Sequence, residues 1–207
     1  IALTGNGNPA TIGNQNTGIY ILNGHVTTGG TGAISLSGTG GGGTTGELRG
    51  VQLSTRSEVK TGSGDIKVTG IGGQGVGPNS VGVTVVNESE IVSGTGKVTV
   101  NGTGGSLGDT NNFGISVENT VNVGPGTAFP TVAVFGLSKI ATTSGAINLT
   151  GIGGGNGSKD GNMGVLVGNS NPAISGSSAI TSNSGLITID GTGGKGVNSN
   201  MGVQITE

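Results

Sequence analysis

Residues 64–102 read GDIKVTGIGGQGVGPNSVGVTVVNESEIVSGTGKVTVNG. Three short segments of alternating character lie within this stretch, and the first returns at its end. Gly64–Gly70 has the form Gly-x-aliphatic-x-aliphatic-x-Gly, and Gly96–Gly102 repeats it 32 residues later. Gly82 opens a second motif, Gly-aliphatic-x-aliphatic. Ile91 heads a third, looser element in which an aliphatic residue is followed by small or polar ones. Within each motif the aliphatic residues recur with a period of two, the mark of a strand with one buried face. Ile66 and Val68 thus share a face, with Lys67 on the other. Glycine, Asn, Ser and Thr punctuate each segment end, as turns require.

Outward from this stretch the pattern persists along the chain. The first motif recurs at Gly32–Gly38, Gly145–Gly151 and Gly185–Gly191, and its tail opens the chain at Ile1–Gly5. The second begins at Gly18, Gly50, Gly82, Gly114, Gly164 and Gly202, with the first four copies spaced 32 residues apart. The third is headed by Val26, Val59, Ile91, Ile140 and Ile180. Strands this short cannot stand alone as hairpins. Equivalent strands from successive repeats can stack on one another, which also pairs their backbone groups. The chain is therefore expected to be all-β: a three-faced parallel β-helix of about six coils, each of about 32 residues. Residues 1–207 form one domain in this reading, with corner insertions at 118–138 and 168–178 where the third element is delayed. The pattern has no polar capping repeat at either end, so the expectation is a piece of a longer array or a subunit that associates end to end.

Composition narrows the function. Glycine supplies 49 of 207 residues, against a usual share of about 7%; without a period, that would suggest disorder. Eight basic residues against ten acidic ones leave no electrostatic footprint for nucleic acid or an anionic membrane. No apolar run is long enough to cross a bilayer. Absence of Cys excludes disulfides and thiolate metal sites, and His25 is the only histidine. No metal, cofactor or catalytic group is expected. The Gly-rich strings lack the Asp of Ca²⁺-binding nonapeptides, and Gly-Gly-Lys at 193–195 lacks the Ser/Thr and helix of a phosphate loop.

Several residues are candidates for particular roles. Asn23, Asn87, Asn119 and Asn169, with Thr55 standing in once, follow the second motif at one offset. They are expected to form a structural Asn ladder at a corner, since Asn tolerates the left-handed turn and amides can bond along a stack. Arg56 falls beneath Glu88 and Asp65 beneath Lys97 in the same register. Phe129, Val132, Val134 and Phe135 in the longer insertion are the candidate partner-binding residues, because solenoids often build binding faces from insertions. Glu58, Glu88 and Glu90, near Arg56, Lys60 and His25, are the only acidic group worth weighing for polysaccharide cleavage. The residues before each second motif are Thr17, Arg49, Val81, Phe113, Met163 and Met201, and the apolar ones among them are expected to pack under the loop.

The strings GTGG at 38–41, 102–105 and 191–194, GIGG at 70–73 and 151–154, and TTSGAINLTG at 142–151 resemble repeats of bacterial surface proteins. The resemblance is to filamentous-haemagglutinin and autotransporter-like β-helix adhesins of Gram-negative bacteria and cyanobacteria, and it covers nearly the whole chain. It implies a right-handed helix and an extracellular or cell-surface structural or adhesive role, with a cell-surface or polysaccharide ligand. The alternative it leaves open is a carbohydrate-binding or polysaccharide-cleaving β-helix.

Overall fold

The structure, a computed structural model, describes residues 1–9, 15–44, 46–119, 136–168 and 177–206. The described residues contain strands and no helix. The first coil carries β1 (Ala2–Asn6), β2 (Ile19–Leu22) and β3 (His25–Thr28). The second carries β4 (Ile34–Thr39), β5 (Val51–Ser54) and β6 (Glu58–Thr61), and the third β7 (Ile66–Ile71), β8 (Val83–Val86) and β9 (Glu90–Ser93). The fourth holds β10 (Val98–Thr103), β11 (Ile115–Glu118) and β12 (Ser138–Thr142). The fifth holds β13 (Ile147–Ile152), β14 (Val165–Val167) and β15 (Ser178–Ser182), and β16 (Ile187–Thr192) and β17 (Val203–Ile205) complete the stack.

Every strand pairs in parallel with its counterpart one coil away. The first sheet runs β1-β4-β7-β10-β13-β16, the second β2-β5-β8-β11-β14-β17 and the third β3-β6-β9-β12-β15. The chain is thus a three-faced parallel β-helix of about six coils. Register follows the motifs residue by residue: Ile34, Ile66, Val98, Ile147 and Ile187 form one column, and Leu36, Val68, Val100, Leu149 and Ile189 another. In the second coil Ile34, Leu36, Val51, Leu53 and Val59 all point inward and are buried. Full burial of such a side chain contributes about 1.5–3 kcal/mol. The interior columns join into one continuous apolar core.

The corners are equally repetitive. Asn23, Thr55 and Asn87 turn out of the second sheet with φ of 48°, 56° and 56°, the left-handed conformation expected there. Between the third and first sheets, the hydroxyls of Thr61 and Thr142 donate to the Gly64 and Gly145 carbonyls (2.6 Å each). Thr61 also meets Ser93 at 3.0 Å, and Thr142 meets Ser182 at 2.9 Å, so hydroxyl pairs tie adjacent coils together. Between the first and second sheets two glycine columns press together. A Cβ built on Gly38, Gly70 or Gly102 would stand 2.0–2.1 Å from the carbonyl oxygen of Gly50, Gly82 or Gly114.

Two connections from the second sheet to the third are long, from Glu118 to Ser138 and from Val167 to Ser178. Neither disturbs the register beyond it: Ile140 still pairs with Ile91 and with Ile180. Phe129, Val132, Val134, Phe135 and Asn169 lie outside the described residues.

Candidate functional site

Period two places Tyr20, Gln52, Thr84, Ser116, Leu166 and Gln204 on the outer face of the second sheet, in one column. An outward column should be wet. Tyr20 is 52% exposed, but Gln52, Thr84, Ser116 and Leu166 are buried. One reason is visible in the residues that precede each strand. Val81, Phe113 and Met163 pack with Leu166 into a second apolar cluster on this outer wall, whereas Met201, expected to pack likewise, is 42% exposed. Arg49 occupies the same column one coil from Val81.

Between these columns lies a groove of about 280 Å³. Tyr20 and Phe113 contribute its aromatic surface, and Gln52, Thr84 and Ser116 the registered polar column. Its charged residues are Arg49, Glu47 and Glu118. The Arg49 Nη2 donates to Glu47 Oε1 at 2.9 Å, with the Arg49 side chain only 13% exposed. Burial lowers the affinity of the Arg49 guanidinium for its proton, and the Glu47 and Glu118 carboxylates oppose that effect. The guanidinium stays protonated. The Ser116 hydroxyl donates to the Glu118 carboxylate. Two polar atoms are left over: Arg49 Nε and Thr84 Oγ1 are buried and have no hydrogen-bond partner. An orphaned polar group costs about 1–3 kcal/mol. A roomier hollow of about 500 Å³ along Gly40–Gly43 is lined besides by Asn6, Pro9, Thr39, Thr44, Gln74 and Val76, none of them ionisable.

The acidic residues weighed for cleavage chemistry form a different arrangement on the third sheet and its corner. Glu58 and Glu90 stack in register. Lys60 Nζ donates to Glu58 at 2.8 Å, His25 Nδ1 lies 3.3 Å from the same carboxylate, and Lys139 Nζ donates to Glu90 at 2.6 Å. Arg56 Nε donates to Glu88 at 2.6 Å, as the register predicts. Asp65 instead accepts from the Lys97 backbone N–H at 2.8 Å. Lys60 chiefly holds Glu58 below the usual carboxylate range, and Arg56 does the same for Glu88. A general acid needs the opposite shift. Among the described residues, no three His, Cys, Asp or Glu side chains converge to hold a metal ion. No helix of the described residues is long and apolar enough to cross a membrane.

These lowered carboxylates set an expected pH dependence. A group whose pKa is depressed in the folded state stabilises the fold above its unfolded pKa. That contribution is lost as pH falls through the lower, folded value. Thermal midpoints should therefore hold steady down to about pH 5 and decline below about pH 4. Replacing both residues, Glu58→Gln with Glu88→Gln, should flatten this part of the decline, and so should salt near 1 M. A profile identical in wild type and double variant would show that the pairs do not matter.

The remaining Asn candidates separate in role. Asn119 is fully buried; its Oδ1 accepts from the Ser138 hydroxyl at 2.6 Å and from the Glu88 N–H at 3.2 Å, and its amide donates to the Gly136 and Ser177 carbonyls. It therefore closes the corner at both ends of a long connection. Asn23 and Asn87 serve as left-handed corner residues. A further amide ladder runs through another column, two residues before the second motif: Ser80, Asn112, Asn162 and Asn200. Asn112 Oδ1 accepts from the Ser80 N–H, Asn162 Oδ1 from the Asn112 N–H, and Asn200 Oδ1 from the Asn162 N–H, each at 3.0 Å. No family model matches the chain, nor does any curated protein or any solved structure.

Proposed function

We propose that this chain is a rigid structural and adhesive module of an extracellular bacterial surface protein or fibre. The observation that carries the reading is the unbroken parallel register of three sheets through all the coils. Within such a stack no inner strand can detach on its own, because each is held by its copies above and below. Rigidity of this kind suits a rod that holds surface features at fixed spacing. The sequence resemblance to β-helix adhesins favours the same role and supplies the extracellular location. End-to-end association belongs to this reading as well.

Display of the chain on a non-adherent bacterium tests the proposal. Attachment to surfaces should rise, and native protein should resist trypsin although Lys and Arg are distributed along the coils. Normal display without a gain in attachment would contradict the adhesive role. Rapid cleavage within coils would contradict the rigid one. Filaments that lengthen with protein concentration would support end-to-end association, and monodisperse particles at high concentration would oppose it.

A further inference from the structure

We propose that the groove on the outer wall of the second sheet binds a small neutral saccharide. The inference goes beyond the rod itself, which needs no pocket. It starts from the misfit between position and environment at Thr84. This residue sits mid-strand on the outer face, is only 3% exposed and leaves its hydroxyl without a partner. Its registered neighbours are Gln52 on one side and Ser116 on the other, both polar and both buried. Arg49 Nε, on the same wall, is a second unused donor. A wall that only had to pack would be filled with apolar side chains, as it is one coil further on, where Leu166 occupies the column of Ser116. Along the groove the column is polar at three successive positions, Gln52, Thr84 and Ser116; Leu166 interrupts it, and Gln204 beyond is polar again outside the groove.

The chemistry of the lining selects the guest. Arg49 contributes one positive charge, and Glu47 and Glu118 contribute two negative ones, so an anion gains nothing here. Carboxylate, guanidinium, amide and hydroxyl groups set close together provide alternating acceptors and donors, which match vicinal hydroxyls. Tyr20, half-exposed at the groove, provides an aromatic face for the C–H side of a sugar ring. The volume of about 280 Å³ lies at the small end of ligand pockets, which suits one or two rings. Thr84 Oγ1 and Arg49 Nε lie beneath the solvent surface, so a guest reaches them by displacing the side chains above. Contact with either would remove the cost of an unpaired group.

Saturation-transfer NMR with the intact chain tests this. The probes are methyl glycosides of glucose, galactose, mannose and N-acetylglucosamine, with glucuronate as the anionic control. At least one neutral glycoside should receive saturation, and glucuronate should bind about tenfold more weakly or not at all. Thr84→Val keeps the shape, removes the hydroxyl and should fold with an unchanged or higher Tm. It should weaken the bound glycoside by about tenfold. Tyr20→Ala, at an exposed position, should weaken it comparably. Absence of transfer to every neutral glycoside would overturn the proposal. So would binding that ignores both variants, or tighter binding of glucuronate. Protease resistance of the rod is independent of all these outcomes, so failure here is distinguishable from failure of the structural reading.

Discussion

Gly102→Ala should destabilise the chain by at least about 3 kcal/mol, or prevent folding altogether. The added Cβ would stand 2.0 Å from the Gly114 carbonyl oxygen and 2.6 Å from its carbon, with the Ile115 side chain at 2.8 Å. The atom in the way is backbone, not the end of a flexible side chain. That backbone is locked: Ile115 lies between Val83 and Val165 in the second sheet, and Gly102 between Gly70 and Gly151 in the first. Neither wall can retreat without breaking ladder hydrogen bonds on both sides. Gly29→Ala is the matched control, because a Cβ there would meet nothing within 4 Å and φ is unexceptional. Its effect should stay within about 0.5 kcal/mol. Urea midpoints of the two variants measure the contrast. Equal stability of both would show that the glycine columns reflect composition and not close approach.

Asn162→Ala should cost about 3–4 kcal/mol. Asn162 is fully buried. Its Oδ1 accepts from both the backbone N–H (3.0 Å) and the side-chain amide (2.9 Å) of Asn112. Its own amide donates to the Lys195 carbonyl at 2.8 Å and the Asp109 carbonyl at 3.3 Å. Removing it leaves the buried N–H groups of Asn112 without their acceptor and frees two part-buried carbonyls, and each buried orphan costs about 1–3 kcal/mol. Asn162→Asp keeps the acceptor but loses the donor, and brings a buried charge, so it should not rescue. Amide hydrogen exchange should report the damage locally, with Asn112 and its neighbours losing protection first. A Tm within one or two degrees of wild type would contradict the ladder.

Much of this architecture was legible because the repeat states each structural fact several times. One copy of GDIKVTG would have been an ambiguous apolar run. Five copies, the first three 32 residues apart, define columns, and those columns are the observed registers from Ile34 through Ile187. The left-handed corner was equally readable, since Asn23, Thr55 and Asn87 fall at one offset and adopt φ near 50°. Glu58 and Glu90 set like charges in register on adjacent coils. The pair is tolerated because Lys60 bonds to Glu58 and Lys139 to Glu90.

The groove was not legible. Alternation assigns Gln52, Thr84 and Ser116 to the outer face but cannot say that the outer face is covered. That depends on the residues before each strand, Arg49, Val81 and Phe113, whose side chains flank the column. The Asn112–Asn162–Asn200 ladder escaped for a different reason. Its positions in two earlier coils are Leu48 and Ser80, so the column is chemically mixed, and it lies in loops already rich in Gly, Asn and Ser. Aligning on Gly18, Gly50, Gly82, Gly114, Gly164 and Gly202 and reading two residues back would have found it.

The central claim is that neighbouring coils pair in parallel without slippage. Interstrand proton contacts in NMR spectra of the isotope-labelled chain test it most directly. The account predicts that contacts link Ile66 to Val98, Val68 to Val100 and Gly70 to Gly102, advancing in the same direction along both strands. Contacts that run in opposite directions, or that are shifted by one residue, would contradict it.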